Sequence, residues 1–175
     1  MLRALAAVGR RCHEQTDLFI VVGAAAILCN WLDRTTVDVD VVLSEPKLSL
    51  WQPAILDAAE ELGLASTWMN DGAKGFSDVL SPDFRRRSRL VGTFAQLRVF
   101  AVSREDFILL KLFAMRVTDI IDVESLSPAL TDSEVEFVVA QLPRLAHTHA
   151  GKAQRIELYL QERGRLKPLD RKQIL

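Results

Sequence analysis

Arg34-Thr35-Thr36-Val37-Asp38-Val39-Asp40-Val41 is the most regular segment of the chain, because polar residues and valines alternate from Thr36 onward. An alternation with period 2 predicts a β-strand that carries Thr36, Asp38 and Asp40 on one face and the valines on the other. At a rise of about 3.3 Å per residue the two aspartates lie roughly 7 Å apart, close enough to bind a common cation. The alternative interpretation is an ordinary strand with an acidic solvent face, where water screens the repulsion between the carboxylates.

A buried strand and a short helix are predicted just before this segment. Leu18-Phe19-Ile20-Val21-Val22 is a continuous apolar run that ends at Gly23. Such a run is typical of a strand buried on both faces of a sheet. The helix is predicted from Ala24 to about Leu32, so Gly23 lies at a turn between strand and helix.

The remaining elements place strands early in the chain and helices late. The patterns predict a helix at the N-terminus, a helix over 53–62, strands over 75–80 and 96–102, and helices over 107–116, 118–126, 131–142 and 150–162. Ser103 and Thr131 are the expected N-caps of two of these helices, and Gly63 is the expected stop of another. This order indicates an α+β fold.

Length and composition are those of a folded domain. The chain has 175 residues, with 22 Lys and Arg against 23 Asp and Glu, a net charge of −1. Hydrophobic residues make up 49% and charged residues 26%, which argues against intrinsic disorder, while the near-zero charge excludes a generally basic nucleic-acid coat. We expect one domain over residues 1–175, with a core of about 16–126 and C-terminal helices over about 127–175.

Cysteines, histidines and apolar runs argue against three other classes of protein. Cys12 and Cys29 form no CxxC pair, and the three histidines have no metal-ligand spacing, so a zinc site is not expected. The longest apolar stretch, Leu18–Cys29, has about 12 residues, fewer than the roughly 20 that span a bilayer. We expect a cytoplasmic protein with no membrane partner.

Several segments together resemble the nucleotidyltransferase superfamily of the DNA polymerase β type. More narrowly, Val22-Gly23-Ala24-Ala25-Ala26 followed by the segment from Arg34 to Asp40 looks like nucleotidyltransferase-like domains related to the toxins of AbiE-type toxin–antitoxin systems. The segments 105–112 and 116–123 are similar to the later helices of that family, which carry a lysine and two aspartates. The resemblance covers about Leu18 to Leu126. It implies a polymerase-β-like fold with a small mixed sheet flanked by helices and a helical C-terminal part.

The resemblance also implies where the chemistry takes place. In the related enzymes paired aspartates hold Mg²⁺ against the triphosphate, a role that falls here on Asp38 and Asp40. A third carboxylate is expected on an adjacent strand, and Asp78 is the best candidate for this third catalytic and metal-binding position. The residues implied to bind the nucleoside triphosphate (NTP) are Gly23, Ala24, Arg34, Thr36 and Lys111.

The sequence departs from the family pattern at two positions and leaves other roles open. Ala24 stands where related enzymes usually have serine or glycine. If the strand over 96–102 occupied the third position, Arg98 would stand where a carboxylate is wanted. Lys111 lies on an apolar helix, where it can extend to solvent, pair with Asp119 or Asp122, or reach a phosphate.

An arginine cluster follows the expected third carboxylate. It comprises Arg85, Arg86, Arg87 and Arg89. The cluster can bind the backbone of a nucleic acid or the triphosphate, or it can be an ordinary solvated face.

The function implied by the resemblance is Mg²⁺-dependent transfer of a nucleoside monophosphate from an NTP to a hydroxyl on RNA, such as tRNA, or on protein. In the toxin branch the protein would have a cognate antitoxin as its partner. One alternative is a catalytically degenerate member of the same fold that acts as a binding or regulatory protein. Another is a nucleic-acid-binding module that uses the arginine cluster, although the net charge argues against it.

Overall fold

The structure is a computed structural model that describes residues 1–166. The α-helices are α1 (Leu2–Arg11), α2 (Val22–Leu28), α3 (Gln52–Leu62), α4 (Phe84–Arg87), α5 (Arg104–Ala114), α6 (Val117–Glu124) and α7 (Asp132–Glu162). The strands are β1 (Thr16–Ile20), β2 (Val39–Glu45), β3 (Met69–Asn70), β4 (Arg89–Phe94) and β5 (Leu97–Ala101). Two short 3₁₀ helices cover Leu48–Trp51 and Gly72–Phe76.

The five strands form one mixed sheet in the order β3-β2-β1-β5-β4. β1 pairs antiparallel with β2 and parallel with β5, while β2 pairs parallel with the short β3 and β4 pairs antiparallel with β5. A mixed sheet flanked by helices, with a long C-terminal helix, confirms the predicted α+β fold. The strand predicted over 96–102 is present as β5, but it lies on the far side of β1 from β2.

Helices cover both faces of the sheet. Leu18 and Ile20 of β1 point into a core shared with α1 and α3, whereas Phe19 points into a second core shared with α5 and α7. This alternation explains why the predicted strand is apolar throughout. Gly9 lets α1 approach the sheet closely, since a Cβ at this position would lie 1.8 Å from the carbonyl oxygen of Phe94.

The helix ends follow the predicted capping residues. The Ser103 hydroxyl accepts a hydrogen bond from the amide of Asp106 at the start of α5, and Thr131 forms a capping box with Glu134 at the start of α7. Gly63 ends α3 in the left-handed conformation with φ 64°. Local sequence therefore determines these boundaries.

The strand predicted from Thr36 begins three residues later. β2 starts at Val39, and Val37 is 81% exposed, so the predicted alternation holds only from Val39 onward. The preceding residues cross over α2 instead, where Arg34 forms an ion pair with Asp122 of α6. That long-range contact draws the segment away from the sheet.

The strand predicted over 75–80 is wrong. This segment contains the end of a 3₁₀ helix and a turn, and its backbone carbonyl groups accept hydrogen bonds from outside the sheet. The Arg144 guanidinium of α7 donates hydrogen bonds to the carbonyls of Asp78, Val79 and Leu80. Because these carbonyl groups are already hydrogen-bonded, they do not require the partners that a neighbouring strand would supply.

Two further elements differ from the predictions. β4 is a strand that the sequence patterns do not predict, and it begins at Arg89, the last residue of the arginine cluster. The two helices predicted over 131–142 and 150–162 are confirmed as the two halves of α7, which meet at a kink where His149 departs from helical geometry (φ −137°, ψ 47°), but the first half continues past Pro143 instead of ending at about Leu142. Proline in a helix interior removes one backbone hydrogen bond, and the packing of α7 on α5 stabilises the helix across Pro143.

Candidate functional site

A cavity of about 460 Å³ opens where β1 ends and β2 begins. Because β1 and β2 are antiparallel, these two strand ends meet at the same edge of the sheet. The cavity walls come from this edge, the 3₁₀ helix at 72–76, the C-terminal end of α5, the start of α6 and the second half of α7. Its lining residues are Val21, Val22, Asp40, Gly72, Ala73, Phe76, Leu110, Lys111, Phe113, Ala114, Arg116, Asp119 and Lys152.

Asp40 is the acidic residue that β2 contributes to this cavity. Its neighbours Val39 and Val41 are both 1% exposed and anchor the strand in the core, which turns the half-buried Asp40 carboxylate toward the cavity. Burial raises the pKa of Asp40 and the negative charge of Asp38 raises it further, against a hydrogen bond from Asn70 and the charges of Lys111 and Arg116. The Asp40 carboxyl group is therefore a weaker acid than an ordinary aspartate, although Lys111 and Arg116 lie near it.

Asp38 lies just before β2 and is exposed. It does not line the cavity itself, yet its charge acts on Asp40. The predicted pair of carboxylates is therefore a half-buried aspartate with an exposed aspartate beside it.

Asn70 is the residue that sequence reasoning missed. It lies opposite Asp40 in the parallel pairing of β2 with β3, the position where the third carboxylate was expected. Its Oδ1 accepts a hydrogen bond from the amide of Gly72 at 2.9 Å, and its NH₂ group lies 3.5 Å from the Thr67 carbonyl oxygen. Hydrogen bonding by the Asn70 side chain also acts to lower the pKa of Asp40. The turn sequence Asn70-Asp71-Gly72 could have marked this strand end.

Asp78 does not lie on a strand next to β2. It belongs to the turn after the 3₁₀ helix, its side chain is 57% exposed, and its carboxylate lies 3.0 Å from Nε2 of His149. Within residues 1–166, no group of three or more His, Cys, Asp or Glu side chains is arranged to hold a metal ion. The three predicted ligands Asp38, Asp40 and Asp78 thus do not form a three-carboxylate centre.

Lys111 forms the centre of a buried ion network. Its Nζ lies 2.8 Å from a carboxylate oxygen of Asp119 and 2.8 Å from one of Asp122, although the residue is only 3% exposed. This confirms the predicted pairing with the two aspartates. Arg34 approaches Asp122 with two nitrogens at 3.1 Å, and Arg116 donates to Asp119 at 2.7 Å.

The network joins three parts of the chain and carries a positive charge. It connects the segment before β2 with α5 and α6, and it contains three cations against two carboxylates. Both buried aspartates have two cationic partners, so their desolvation is compensated. Lys111, Arg116 and Asp119 also line the cavity, which makes this end of the cavity electropositive.

The turn between β1 and α2 packs against the segment before β2. A Cβ at Gly23 would lie 3.2 Å from the Thr36 hydroxyl and 3.2 Å from the Arg34 guanidinium, so glycine permits this close approach. Ala24 is fully buried in the core next to α1 and α3. Val22 lines the cavity in a left-handed conformation with φ 54°, which is strained for a β-branched residue.

Three of the four clustered arginines are already paired with acidic residues. Arg85 binds Glu45, Arg86 binds Asp83, and Arg87 binds Glu105 and the buried Asp106. Arg98, on β5, binds Asp17 on the neighbouring strand. These ion pairs reduce the positive charge that the cluster offers to a nucleic acid.

No helix in the described part of the chain is long and apolar enough to cross a membrane. Searches of curated proteins and of solved structures gave no match to the chain. A family described as "Nucleotidyltransferase of unknown function (DUF6036)" matches residues 3–158, which is most of the chain. On this match, the chain belongs to that family of nucleotidyltransferases.

Proposed function

We propose that the chain transfers a nucleoside monophosphate from an NTP to a hydroxyl group, with Mg²⁺ bound at Asp38 and Asp40. The observation that carries this proposal is Asp40, a half-buried carboxylate facing a cavity that also holds Lys111 and Arg116. A carboxylate for the cation and nearby positive charge for phosphate oxygens are two of the recurring parts of sites for phosphoryl transfer.

The donor atoms at this edge of the sheet fit Mg²⁺. Two carboxylates are the protein share that Mg²⁺ commonly takes, since water and substrate phosphates complete its oxygen shell. When bound, the ion would neutralise phosphate charge and stabilise the pyrophosphate leaving group. Asn70, opposite Asp40 on β3, acts to lower the pKa of Asp40 and so favours the ionised carboxylate.

The protein groups around the carboxylates would bind and orient the phosphates. Arg116 has a side chain that is 70% exposed, so it can move toward a ligand while Asp119 remains bound to Lys111. Lys111 is fixed by its two aspartates and supplies a static positive charge. Arg34, Thr36 and Gly23 shape the neighbouring surface and hold Asp38 next to the cavity.

We propose an RNA such as tRNA, or a protein, as the acceptor, and an antitoxin as a possible cognate partner of a toxin–antitoxin pair. What supports these assignments is the resemblance to AbiE-type toxins. The ion pairs of Arg85, Arg86 and Arg87 favour approach of the acceptor through the cavity mouth rather than over the arginine cluster.

A catalytically inactive nucleotide-binding protein is the second candidate. The observation that favours it is Asn70, an amide at the position where related enzymes would have a third carboxylate. A chain of this kind would bind NTP and Mg²⁺ without transferring the nucleotide.

Incubation of the protein with each labelled NTP, Mg²⁺ and total RNA tests both candidates. Transfer of label to RNA or protein, lost in Asp40→Asn and on chelation of the metal, supports the enzyme. NTP binding without transfer supports the inactive protein. RNA binding with no NTP binding would contradict both and support a nucleic-acid-binding module.

A further inference from the structure

Lys152 is a cation in the cavity wall that the ion network does not use. It lies in the second half of α7, is partly buried and lines the cavity together with Lys111 and Arg116. Lys111 and Arg116 are both bound to carboxylates, whereas Lys152 has no ion-pair partner among residues 1–166. Its charge is therefore available to a ligand.

The sequence of α7 explains why Lys152 has no ion-pair partner on its own helix. Residues three and four positions away on a helix are the side-chain neighbours of a given residue. For Lys152 these are Thr148, His149, Arg155 and Ile156, none of them acidic. The helix itself thus offers no carboxylate.

A contact of Lys152 with α5, and contacts of the nearby His149 with α5 and Asp78, position this part of α7 at the cavity. Its Nζ lies 5.3 Å from the centre of the Phe113 ring, and the His149 ring packs edge-on against the same ring at 4.9 Å. His149 also lies 3.0 Å from Asp78, and it is the residue at which α7 departs from helical geometry. These contacts stabilise the bend in α7 three residues before Lys152, which has no ion-pair partner within the described part of the chain.

The charges around the cavity favour an anion as the partner of Lys152. The network of Lys111, Arg34 and Arg116 with two aspartates already has an excess of one positive charge, and Mg²⁺ would balance Asp38 and Asp40. An ammonium on a flexible stem binds phosphate as a point charge, whereas recognition of a neutral base relies on a fixed pattern of donors and acceptors. A volume of about 460 Å³ suits one small ligand that would touch both Asp40 and Lys152.

We propose that Lys152 binds the polyphosphate of the nucleotide, so that the C-terminal helix completes a phosphate site begun by β2, α5 and α6. This assignment rests on the proposed function of the cavity. It makes α7 a part of the binding site and Lys152 a determinant of selectivity for nucleoside triphosphates over monophosphates.

Titration calorimetry on the full chain with Mg²⁺ tests the proposal, using inorganic tripolyphosphate, the four NTPs and the matching monophosphates. Lys152→Gln should weaken binding of tripolyphosphate and of the preferred NTP about 10- to 100-fold, because a charge-assisted hydrogen bond is lost. Monophosphate affinity should change less than about threefold, and Lys152→Arg should restore most of the loss. Arg155→Gln, which removes the same charge three residues further along α7 and outside the cavity, should bind like the wild type.

The outcomes separate this proposal from the proposed function. If the wild type binds neither tripolyphosphate nor any NTP, the nucleotide site itself is wrong and both proposals fall. If the wild type binds NTP and Lys152→Gln binds it equally well, only the role of Lys152 is overturned. Equal losses for NTP and monophosphate, or an equal loss in Arg155→Gln, would likewise overturn a specific contact with the polyphosphate.

Discussion

Asp40 and Asn70 lie directly opposite each other on the parallel strands β2 and β3, so a carboxylate and an amide meet at the edge of the cavity. The amide oxygen accepts a hydrogen bond from Gly72, and the Asn70 side chain acts to lower the pKa of the Asp40 carboxyl group. Because the residue opposite Asp40 is a neutral amide, this pair offers a cation one carboxylate and not two. A third carboxylate at the same place would attract a divalent ion more strongly but would repel Asp40 without one.

Asn70→Asp should therefore strengthen cation binding and weaken the metal-free fold. Aspartate keeps an oxygen for the amide of Gly72 and places the other beside Asp40. At an effective dielectric constant of about 20 and a separation of about 6 Å, the added repulsion costs up to about 3 kcal/mol. Thermal unfolding with and without Mg²⁺ should show a lower melting temperature in its absence and a larger gain on its addition than in the wild type.

Asn30→Asp is the matched control, since it adds the same charge at an exposed turn position outside the cavity. It should leave the response to Mg²⁺ unchanged. An Asn70→Asp variant that responds to Mg²⁺ no more than Asn30→Asp would show that the Asp40 side of the cavity does not bind the ion.

Lys111→Met should destabilise the fold strongly. The change leaves Asp119 and Asp122 buried with one cationic partner each, and breaking a buried ion pair from one side costs about 3–5 kcal/mol. For a chain of this size the melting temperature should fall by roughly 6–20 °C in a thermal denaturation experiment. Lys74→Met, which breaks an exposed pair with Asp71, should cost no more than about 1 kcal/mol.

The same network sets the response of the fold to acid. Burial acts to raise the pKa of Asp119, but hydrogen bonds from Arg116 and Lys111 outweigh it and the pKa is lowered. The stabilisation from Asp119 is thus complete above the ordinary aspartate pKa of about 3.9 and is lost as the pH falls through the lowered value. In Lys111→Met the loss should begin at higher pH; identical acid-unfolding curves would argue against the network.

Asp78→Asn should leave cation and nucleotide binding unchanged within about twofold. Asp78 lies in an exposed turn and pairs with His149 rather than with Asp40. Loss of this exposed pair should change the free energy of unfolding by no more than about 1 kcal/mol. A loss of Mg²⁺-dependent NTP binding as large as that of Asp40→Asn would restore Asp78 as a third ligand.

Local patterns predicted the elements whose boundaries depend on neighbouring residues. Ser103, Thr131 and Gly63 act on the helix that adjoins them, and the apolar run of β1 is buried on both faces as expected. Lys111 and Asp122 would share a face by helical spacing only if one helix continued through Val117, but the chain leaves α5 at Met115 in the left-handed conformation, so the turn between α5 and α6 brings the aspartates to Lys111. The helix ends and the burial of β1 depend mainly on residues that are close in the sequence.

The features that the sequence did not predict depend on contacts between residues that are far apart in the chain. The start of β2 is displaced by the ion pair between Arg34 and Asp122, which lie 88 positions apart in the chain. The 75–80 segment is kept out of the sheet by Arg144, and Asn70 acquires its role only when β3 pairs with β2. A two-residue strand carries no periodic signal, so local sequence patterns favour Asp78 instead as the third carboxylate.

Asp38→Asn and Asp40→Asn should each abolish most nucleotidyl transfer while preserving the fold. An amide is a weaker ligand for Mg²⁺ than a carboxylate, although it has nearly the same size and fits the same strand position. Asp33→Asn, an exposed change in the same loop, should retain wild-type activity. Activity is measured as transfer of labelled nucleotide at several Mg²⁺ concentrations, and wild-type rates in both Asp38→Asn and Asp40→Asn would remove the proposed reaction from this site.

The stability of Asp40→Asn provides an independent test, with a sign that follows from the raised pKa of Asp40. Ionisation of this half-buried carboxylate destabilises the fold, and the cost is fully present once the pH exceeds the raised pKa. In neutral, metal-free buffer the melting temperature of Asp40→Asn should therefore equal or slightly exceed that of the wild type. The difference should vanish as the pH falls through the raised pKa toward the ordinary value, because the wild-type carboxyl is then protonated as well. A large loss of stability in Asp40→Asn at neutral pH would instead show that the carboxylate is a structural partner of Asn70, Lys111 and Arg116 rather than a metal ligand.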